Sequence, residues 1–260
     1  MVKQSTSQEN GALTQSLQRA IALLKAFDDG QDALGVSELG RLVGLPKSTV
    51  SRLLATLEHE GLVERVPGSD KYRLGFLLVR LAGRVAHYGD VRAIAHPLLV
   101  ELCERAQETV HLAVLDGDEV VNIEQISGPH IVRETNWVGR RTPLHCAANG
   151  KALLAFQPPT MIERVLAGPL PRPTDRTIAE PWAVRAELAR VRACGYARAV
   201  GELEAGLNGV AAPIRDAGGL AIAAVSASGP AYRVTIERLA DLAALVMDTA
   251  ARIAERLSYS

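Results

Sequence analysis

Cysteine is scarce in this chain. Only Cys103, Cys146 and Cys194 occur, widely spaced and odd in number, with no CxxC pair. That excludes a disulfide framework. With no secretory leader visible, the expectation is reduced thiols in the cytoplasm. An excess of either charge is missing too. Lys+Arg and Asp+Glu are equal at 29 each, so net charge argues neither for nor against a nucleic-acid partner. No apolar run approaches the roughly 18 residues of a membrane span, so no membrane partner is expected. Internal repeats and low-complexity tracts are absent as well. What remains is a chain of 260 residues, 48% hydrophobic and 22% charged. That composition is ordinary for a globular protein, and the length suits two domains.

The most informative stretch is 46–60, PKSTVSRLLATLEHE. Val50, Leu53, Leu54 and Leu57 fall at i, i+3, i+4 and i+7, the apolar stripe of a helix. Ser48, Ser51, Arg52 and Ala55 repeat that spacing on the opposite side, with Lys47 near the N-terminal end. Short hydrogen-bonding side chains with one cation suit a helix in a DNA major groove. A solvated outer face is the plain alternative, and the flanking sequence decides between them. From Leu39 to Leu57 there are three cations (Arg41, Lys47, Arg52) and no acid. Ahead of it, Leu17, Ala20, Ile21, Leu24 and Phe27 space as one face of a first helix that Asp28-Asp29-Gly30 ends. After an extended link at 33–36, Ser37 is expected to cap a short second helix carrying Leu39, Leu42 and Val43. Gly44 stops that helix, and Pro46 fits the first position of the next. Two short helices joined by a glycine-containing turn are helix-turn-helix grammar. Behind them, Gly61 closes the third helix and 62–65 is a strand. Pro67-Gly68-Ser69-Asp70 supplies a turn, and 72–74 returns as a second strand. This hairpin is a wing, and Lys71 and Arg73, with Arg65 opposite, would bring cations to phosphates.

Residues 76–88 predict a connecting helix whose apolar face (Leu77, Leu78, Leu81, Ala82, Val85, Tyr88) needs cover. A second copy would supply it and make a dimer, and Gly83 and Gly89 would let the connector bend. Beyond it, Pro97 fits the first turn of a helix to about Gln107. Strands are expected at 109–115, 119–125, 131–135, 196–200, 209–214 and 220–226. Helices are expected from about 147–149, at 160–166, at 182–194 and at 235–257. The short turn at Asp116-Gly117-Asp118 and another at 216–219 require antiparallel pairing. The class is therefore α+β rather than a doubly wound parallel sheet.

Five stretches of the sequence carry a resemblance. GVSELGRLVGLPKSTVSRLLATLEHEGLVER with KYRLG is similar to the winged helix-turn-helix of IclR-type transcriptional regulators. TPLHCAANGKALLAF, GELEAGLNGVAAPI and AIAAVSASGP resemble blocks of the IclR effector-binding domain. The resemblance implies three segments: a DNA-binding domain at 13–75, a linker and dimerisation helix at 76–90, and an effector-binding domain at 91–260. It implies that this last domain is a GAF/PAS-like curved antiparallel sheet with helices on one side. Its pocket would lie between the start of the GKALL helix and the last two strands. Backbone N–H groups for a small oxo-acid map onto Ala148 and Asn149, and the paired serines onto Ser226 and Ser228. The usual acidic stretch here reads Ala199-Val200-Gly201-Glu202, which leaves Glu202. The family's ligand-facing cysteine falls on Gly209. With His145, these form the expected effector set. The lost aspartate and cysteine, the room at Gly209 and the amide of Asn149 point to a larger effector than glyoxylate or pyruvate, an aromatic or other organic acid.

Other chemistries fit less well. His145-Cys146 and His111 match no usual zinc spacing, and no metal or cofactor is expected. A Cys146–His145 nucleophile and base would need two sequence neighbours to face each other. Gly201, Gly206 and Gly209 do not open a helix after a strand. The expectation is a cytoplasmic, dimeric or tetrameric, ligand-responsive regulator of double-stranded operator DNA, a repressor and not an enzyme. Lys47, Ser48, Thr49, Ser51, Arg52, Lys71 and Arg73 are its DNA-contact candidates. The rivals are a constitutive DNA binder with a vestigial pocket and a small-molecule enzyme or binding protein with an added DNA module.

Overall fold

The computed structural model describes residues 14–27, 31–82, 88–131 and 136–258. They fall into two compact units, Met1–Val85 and Ala86–Ser260. The expected features at 28–30, 83–85 and 132–135 lie outside the described residues.

In the first unit, α1 (Gln15–Lys25) is followed by β1 (Leu34–Gly35), α2 (Val36–Val43) and α3 (Lys47–His59). The hairpin β2 (Val63–Arg65) and β3 (Lys71–Leu74) and the helix α4 (Phe76–Ala82) complete it. Leu23, Leu34, Leu39, Val50, Leu54, Leu57, Val63 and Tyr72 make its core. The link expected at 33–36 is partly a strand, because Leu34 and Gly35 pair with Tyr72 and Lys71 to give an antiparallel sheet β1-β3-β2. The cap of α2 is Gly35, not Ser37. Glu38 Oε2 accepts the Gly35 N–H at 2.8 Å, so the carboxylate of the first turn does the capping. Gly44 ends α2 in the left-handed region at φ 68°. Pro46 sits one place earlier than expected, as the N-cap of α3. The apolar stripe of α1 is also shifted. Leu23 and Phe27 are buried, whereas Leu17 and Ile21 are exposed.

The second unit opens with α5 (Tyr88–Ala106), followed by β4 (Thr109–Asp116), β5 (Glu119–Ile126) and β6 (Arg141–Pro143). Then come α6 (Ala148–Leu154), α7 (Pro159–Ala167), α8 (Pro181–Cys194), β7 (Ala197–Val200), β8 (Leu207–Arg215), β9 (Ala221–Pro230) and α9 (Ile236–Ser258). The strands form one antiparallel sheet in the order β6-β5-β4-β9-β8-β7. The helix expected to begin at Pro97 starts nine residues earlier and holds that proline inside it. A proline in a helix interior costs about 3 kcal/mol. Here the turn ahead of it is held by buried Val91 and Ala95 and by half-buried Ile94, and burying even one large aliphatic side chain contributes about 1.5–3 kcal/mol.

Helices cover both faces of the sheet, not one. Val110, Leu112, Val114, Val210, Ala212, Ile214, Val225 and Ala227 pack against α5 and α9. The opposite face carries smaller residues, Ala113, Ala197, Ala199, Ala211 and Ala224, and packs against α6, α7 and α8. Small side chains there let α6 come close to the strands. Gly150 lets α6 lie against the turn that follows β6, since a Cβ on it would stand 2.5 Å from the Leu144 carbonyl oxygen and 2.6 Å from its Cα. Neither atom can yield without moving the backbone. Gly150→Ala is therefore expected to lower stability by about 1–3 kcal/mol. Gly168→Ala, whose Cβ would approach nothing nearer than 3.4 Å, is the control expected to change little. Urea unfolding of both variants checks the contrast.

Candidate functional sites in the two units

The first site is the outer face of α3. Val50, Leu54 and Leu57 are buried, which orients the helix and leaves Lys47, Ser48, Ser51, Arg52 and Ala55 exposed, with Thr49 half-buried on the flank. Thr56 Oγ1 donates back to the Arg52 carbonyl at 3.2 Å. On the wing, Lys71 and Arg73 are exposed, but each cation there has an acidic neighbour. Arg73 Nε reaches Glu64 Oε1 at 2.6 Å. Arg65 Nε lies 3.4 Å from Glu58 Oε2, and its guanidinium stacks over Tyr72 at 5.1 Å. The Glu38 carboxyl is held below its usual range by the Gly35 N–H and then by the nearby charge of Lys71. Exposed ion pairs of this kind are weak and give way readily to a phosphate.

The second site is a cavity of about 60 Å³ on the α6 side of the sheet, several times the ~10–15 Å³ that one water needs. Every strand of the sheet reaches it: Thr142 from β6, Asn122 from β5, His111 from β4, Ser226 and Ser228 from β9, Leu207 and Gly209 from β8, and Ala199 from β7. The register explains the grouping. Ala199 pairs with Gly209 and Gly209 with Ser228, one row across three strands, while His111 pairs with Ser226 beside it. Ala148 and Asn149 enter from the start of α6, where first-turn N–H groups have no acceptor within the helix. A Cβ on Gly209 would meet Ser228 Cβ at 3.1 Å, so glycine there keeps that side of the cavity open. Burial lowers the pKa of His111 to about 4, against a hydrogen bond to Gln125 that raises it, so its ring is neutral at pH 7. Gln125 Oε1 also accepts the Trp137 backbone N–H at 2.9 Å. It therefore acts as an acceptor, and His111 Nε2–H donates to it at 3.1 Å.

Five residues of the expected effector set thus line one cavity: Ala148, Asn149, Gly209, Ser226 and Ser228. Two stand elsewhere. His145 Nε2 lies 2.8 Å from the Pro171 carbonyl and borders a different hollow with Asp116, Arg141 and Arg164. Burial, and then the nearby charge of Lys151, holds it below its ordinary pKa despite the hydrogen bond to Pro171. Glu202 is buried and receives the wholly buried Lys151 Nζ at 2.8 and 2.9 Å. Burial raises its pKa and the ammonium opposes the rise. His111, Asn122, Trp137 and Thr142 were not anticipated as lining residues. One of them carries a signal in the sequence, since His111 is a polar position within the otherwise apolar run Val110–Leu115. Cys146 is fully buried and its thiol is pushed up to about 11 by burial, which makes it an inert packing residue. Among the described residues no group of three His, Cys, Asp or Glu is placed to hold a metal ion, and no helix is long and apolar enough to cross a membrane.

Residues 16–67 match the IclR helix-turn-helix domain and residues 83–255 the bacterial transcriptional regulator IclR C-terminal domain. The chain is similar to the HTH-type transcriptional regulator KdgR of Escherichia coli, with 34% identity over 94% of this chain and 93% of that protein. It is also similar to the transcriptional repressor IclR of the same organism, with 32% identity over 92% of this chain and 88% of that one. Among solved structures, an IclR homolog from Microbacterium hydrocarbonoxydans complexed with 4-hydroxybenzoate is 34% identical. It superposes with a TM-score of 0.83 over 94% of this chain and all of that one.

Lys151 and Glu202 supply a test of what holds the cavity wall. Breaking a buried ion pair by removing one partner strands the other charge. Lys151→Met is expected to cost about 3–5 kcal/mol, whereas Lys151→Met with Glu202→Leu recovers most of the loss. Denaturant unfolding of the single and double variants checks this, and a double variant no more stable than the single would contradict it.

Proposed function

Because this chain belongs to the IclR family of transcriptional regulators, we propose that it acts as a repressor whose grip on operator DNA is set by an aromatic or other organic acid. Its relatives are named as transcriptional regulators, and the chain is a DNA-binding regulator and not an enzyme. The single observation that carries the ligand half of the reading is the cavity on which all six strands and the start of α6 converge. The 4-hydroxybenzoate complex of the Microbacterium homolog supports an aromatic acid as effector, and the name of the Escherichia coli repressor supports repression.

In this reading 13–75 binds DNA, 76–90 joins the halves and 91–260 senses. Ser48, Thr49, Ser51 and Arg52 read base edges, with Lys47, Lys71 and Arg73 on phosphates. The acid is bound by Ala148, Asn149, Gly209, Ser226 and Ser228, and His145 and Glu202 support their surroundings rather than touch it. Exposed Leu17 and Ile21 on α1, and Phe76, Val79 and Leu81 on α4, support pairing of two chains in the cytoplasm as a homodimer, or as a homotetramer built from such pairs. Ligand binding shifts the population of two arrangements of the paired winged helices, by no more than its differential affinity for them.

The DNA half predicts two different mutational signatures. Arg52→Ala should weaken binding to the operator by about 1–3 kcal/mol and relax preference at one base pair. Lys71→Ala should weaken specific and random DNA alike and flatten the salt dependence. Fluorescence anisotropy on operator and scrambled duplexes across a salt series separates the two. Equal loss on both duplexes for Arg52→Ala would remove it from base reading. For the ligand half, titration of the full chain with an acid panel by calorimetry should yield a binder larger than the two- and three-carbon oxo-acids. Binding of those small acids alone would overturn the proposed ligand class.

A further inference from the structure

The amide pair Asn122–Asn149 narrows the ligand class, in an inference that rests on the ligand-binding reading above. Asn122 comes from β5 and Asn149 from the first turn of α6, and each is only 8% exposed. Asn149 Nδ2 donates to Asn122 Oδ1 at 2.9 Å. Two primary amides joined by one such bond keep a carbonyl oxygen on one residue and an NH2 on the other, whichever way the two are turned. Here the remaining oxygen is Asn149 Oδ1, which has no hydrogen-bond partner among the described residues, and the same holds for the enclosed indole N–H of Trp137. Asn122, Asn149 and Trp137 line the same cavity. Buried polar groups in folded proteins are nearly always partnered, so an unpartnered acceptor and donor on residues that line one cavity point to what fills it.

The contents must supply both a donor and an acceptor. An ionised carboxylate only accepts. It suits Trp137 Nε1–H and the free NH2, but its oxygens would be set against the free amide oxygen. An ammonium would donate, but it would lie buried without a counter-charge. The described lining holds no carboxylate, His111 is neutral, and Glu202 is held by Lys151. A hydroxyl donates one hydrogen bond and accepts others from a single atom. We propose that the effector carries a hydroxyl in addition to its acid group, and that Asn122, Asn149 and Trp137 are the residues that read it.

The test uses matched acids on the full chain. One series is 4-hydroxybenzoate, 4-methoxybenzoate and benzoate; the other is 2-hydroxybutyrate, 2-methoxybutyrate and butyrate. In at least one series calorimetry should give the hydroxy acid an affinity about tenfold or more above both partners, because each of those leaves the amide oxygen unmet. Asn149→Leu and Trp137→Phe should each shrink that ratio, the second keeping an aromatic side chain while removing the indole N–H. Trp182 is 73% exposed. In a Trp182→Phe background the remaining tryptophan fluorescence comes from Trp137 alone, and it should change with the hydroxy acid more than with the plain acid at equal saturation. Equal affinity for hydroxy and plain acids, a methoxy acid as tight as its hydroxy parent, or a ratio unchanged in both variants would each overturn the hydroxyl requirement while leaving an acid-binding regulator in place. Absence of binding by every acid in both series would overturn the requirement and the acid reading together.

Discussion

A lysine ammonium with no access to water must be met by carboxylates, and much of the sensing half follows from how Lys151 is met. It sits within α6, faces both oxygens of Glu202, and lies 3.6 Å from Glu187. Glu187 is held in turn by Arg190. The pair draws the segment after β7 against α6. There, Thr174 and Thr177 hydroxyls donate to the Gly201 and Glu202 carbonyls at 2.6 Å each. Leu203 in that segment, with Ala199 before it and Leu207 after it, then forms one wall of the cavity. Gly150 lets α6 lie against the turn at Leu144, with no side chain between them. The pair has a second consequence. It takes up the charges nearest the cavity and leaves a described lining of neutral groups, where recognition proceeds by hydrogen bonding and shape.

The DNA half depends on a plainer division of labour. Burial of Val50, Leu54 and Leu57 fixes the rotation of α3, so its serines and Arg52 face outward without help from other side chains. Arg65 and Arg73 of the wing rest against Glu58 and Glu64, and the charge of Lys71 helps to lower the pKa of Glu38. These acids lower the positive potential of the wing, and in the proposed DNA complex phosphate contact would be an exchange of partners.

The helical halves of this architecture were legible because their signals are local. The i, i+3, i+4 spacing in 46–60, the glycines at 44 and 61 and the short turn at Gly117 each act over a few residues. What the sequence could not show depends on residues far apart in the chain. Pro97 lies inside a helix because burial on both sides outweighs a local penalty. Leu17 and Ile21 share a helical face that this unit leaves uncovered, while Leu23, outside the expected stripe, takes the core position. Gly35 displaces Ser37 as a cap because Glu38 reaches back to it. Within the candidate site, Ala148, Asn149, Gly209, Ser226 and Ser228 lie on blocks that the family resemblance identified. Glu202 and His145 lie on the same blocks but turn to Lys151 and Pro171. Asn122 and Trp137 join through sheet register and a neighbouring loop, which no short motif encodes.

In the proposed mechanism a ligand in the sensing cavity and DNA on α3 bias one shared equilibrium. Linkage makes the effect reciprocal, since whatever factor the ligand applies to DNA affinity, DNA must apply to ligand affinity. The most direct measurement is the calorimetric Kd of a bound acid for the full chain, free and saturated with operator duplex, set beside the anisotropy Kd for operator with and without that acid. Two ratios that agree and differ from one by fivefold or more are the predicted result. An acid that binds equally well to free and operator-bound protein would contradict the account.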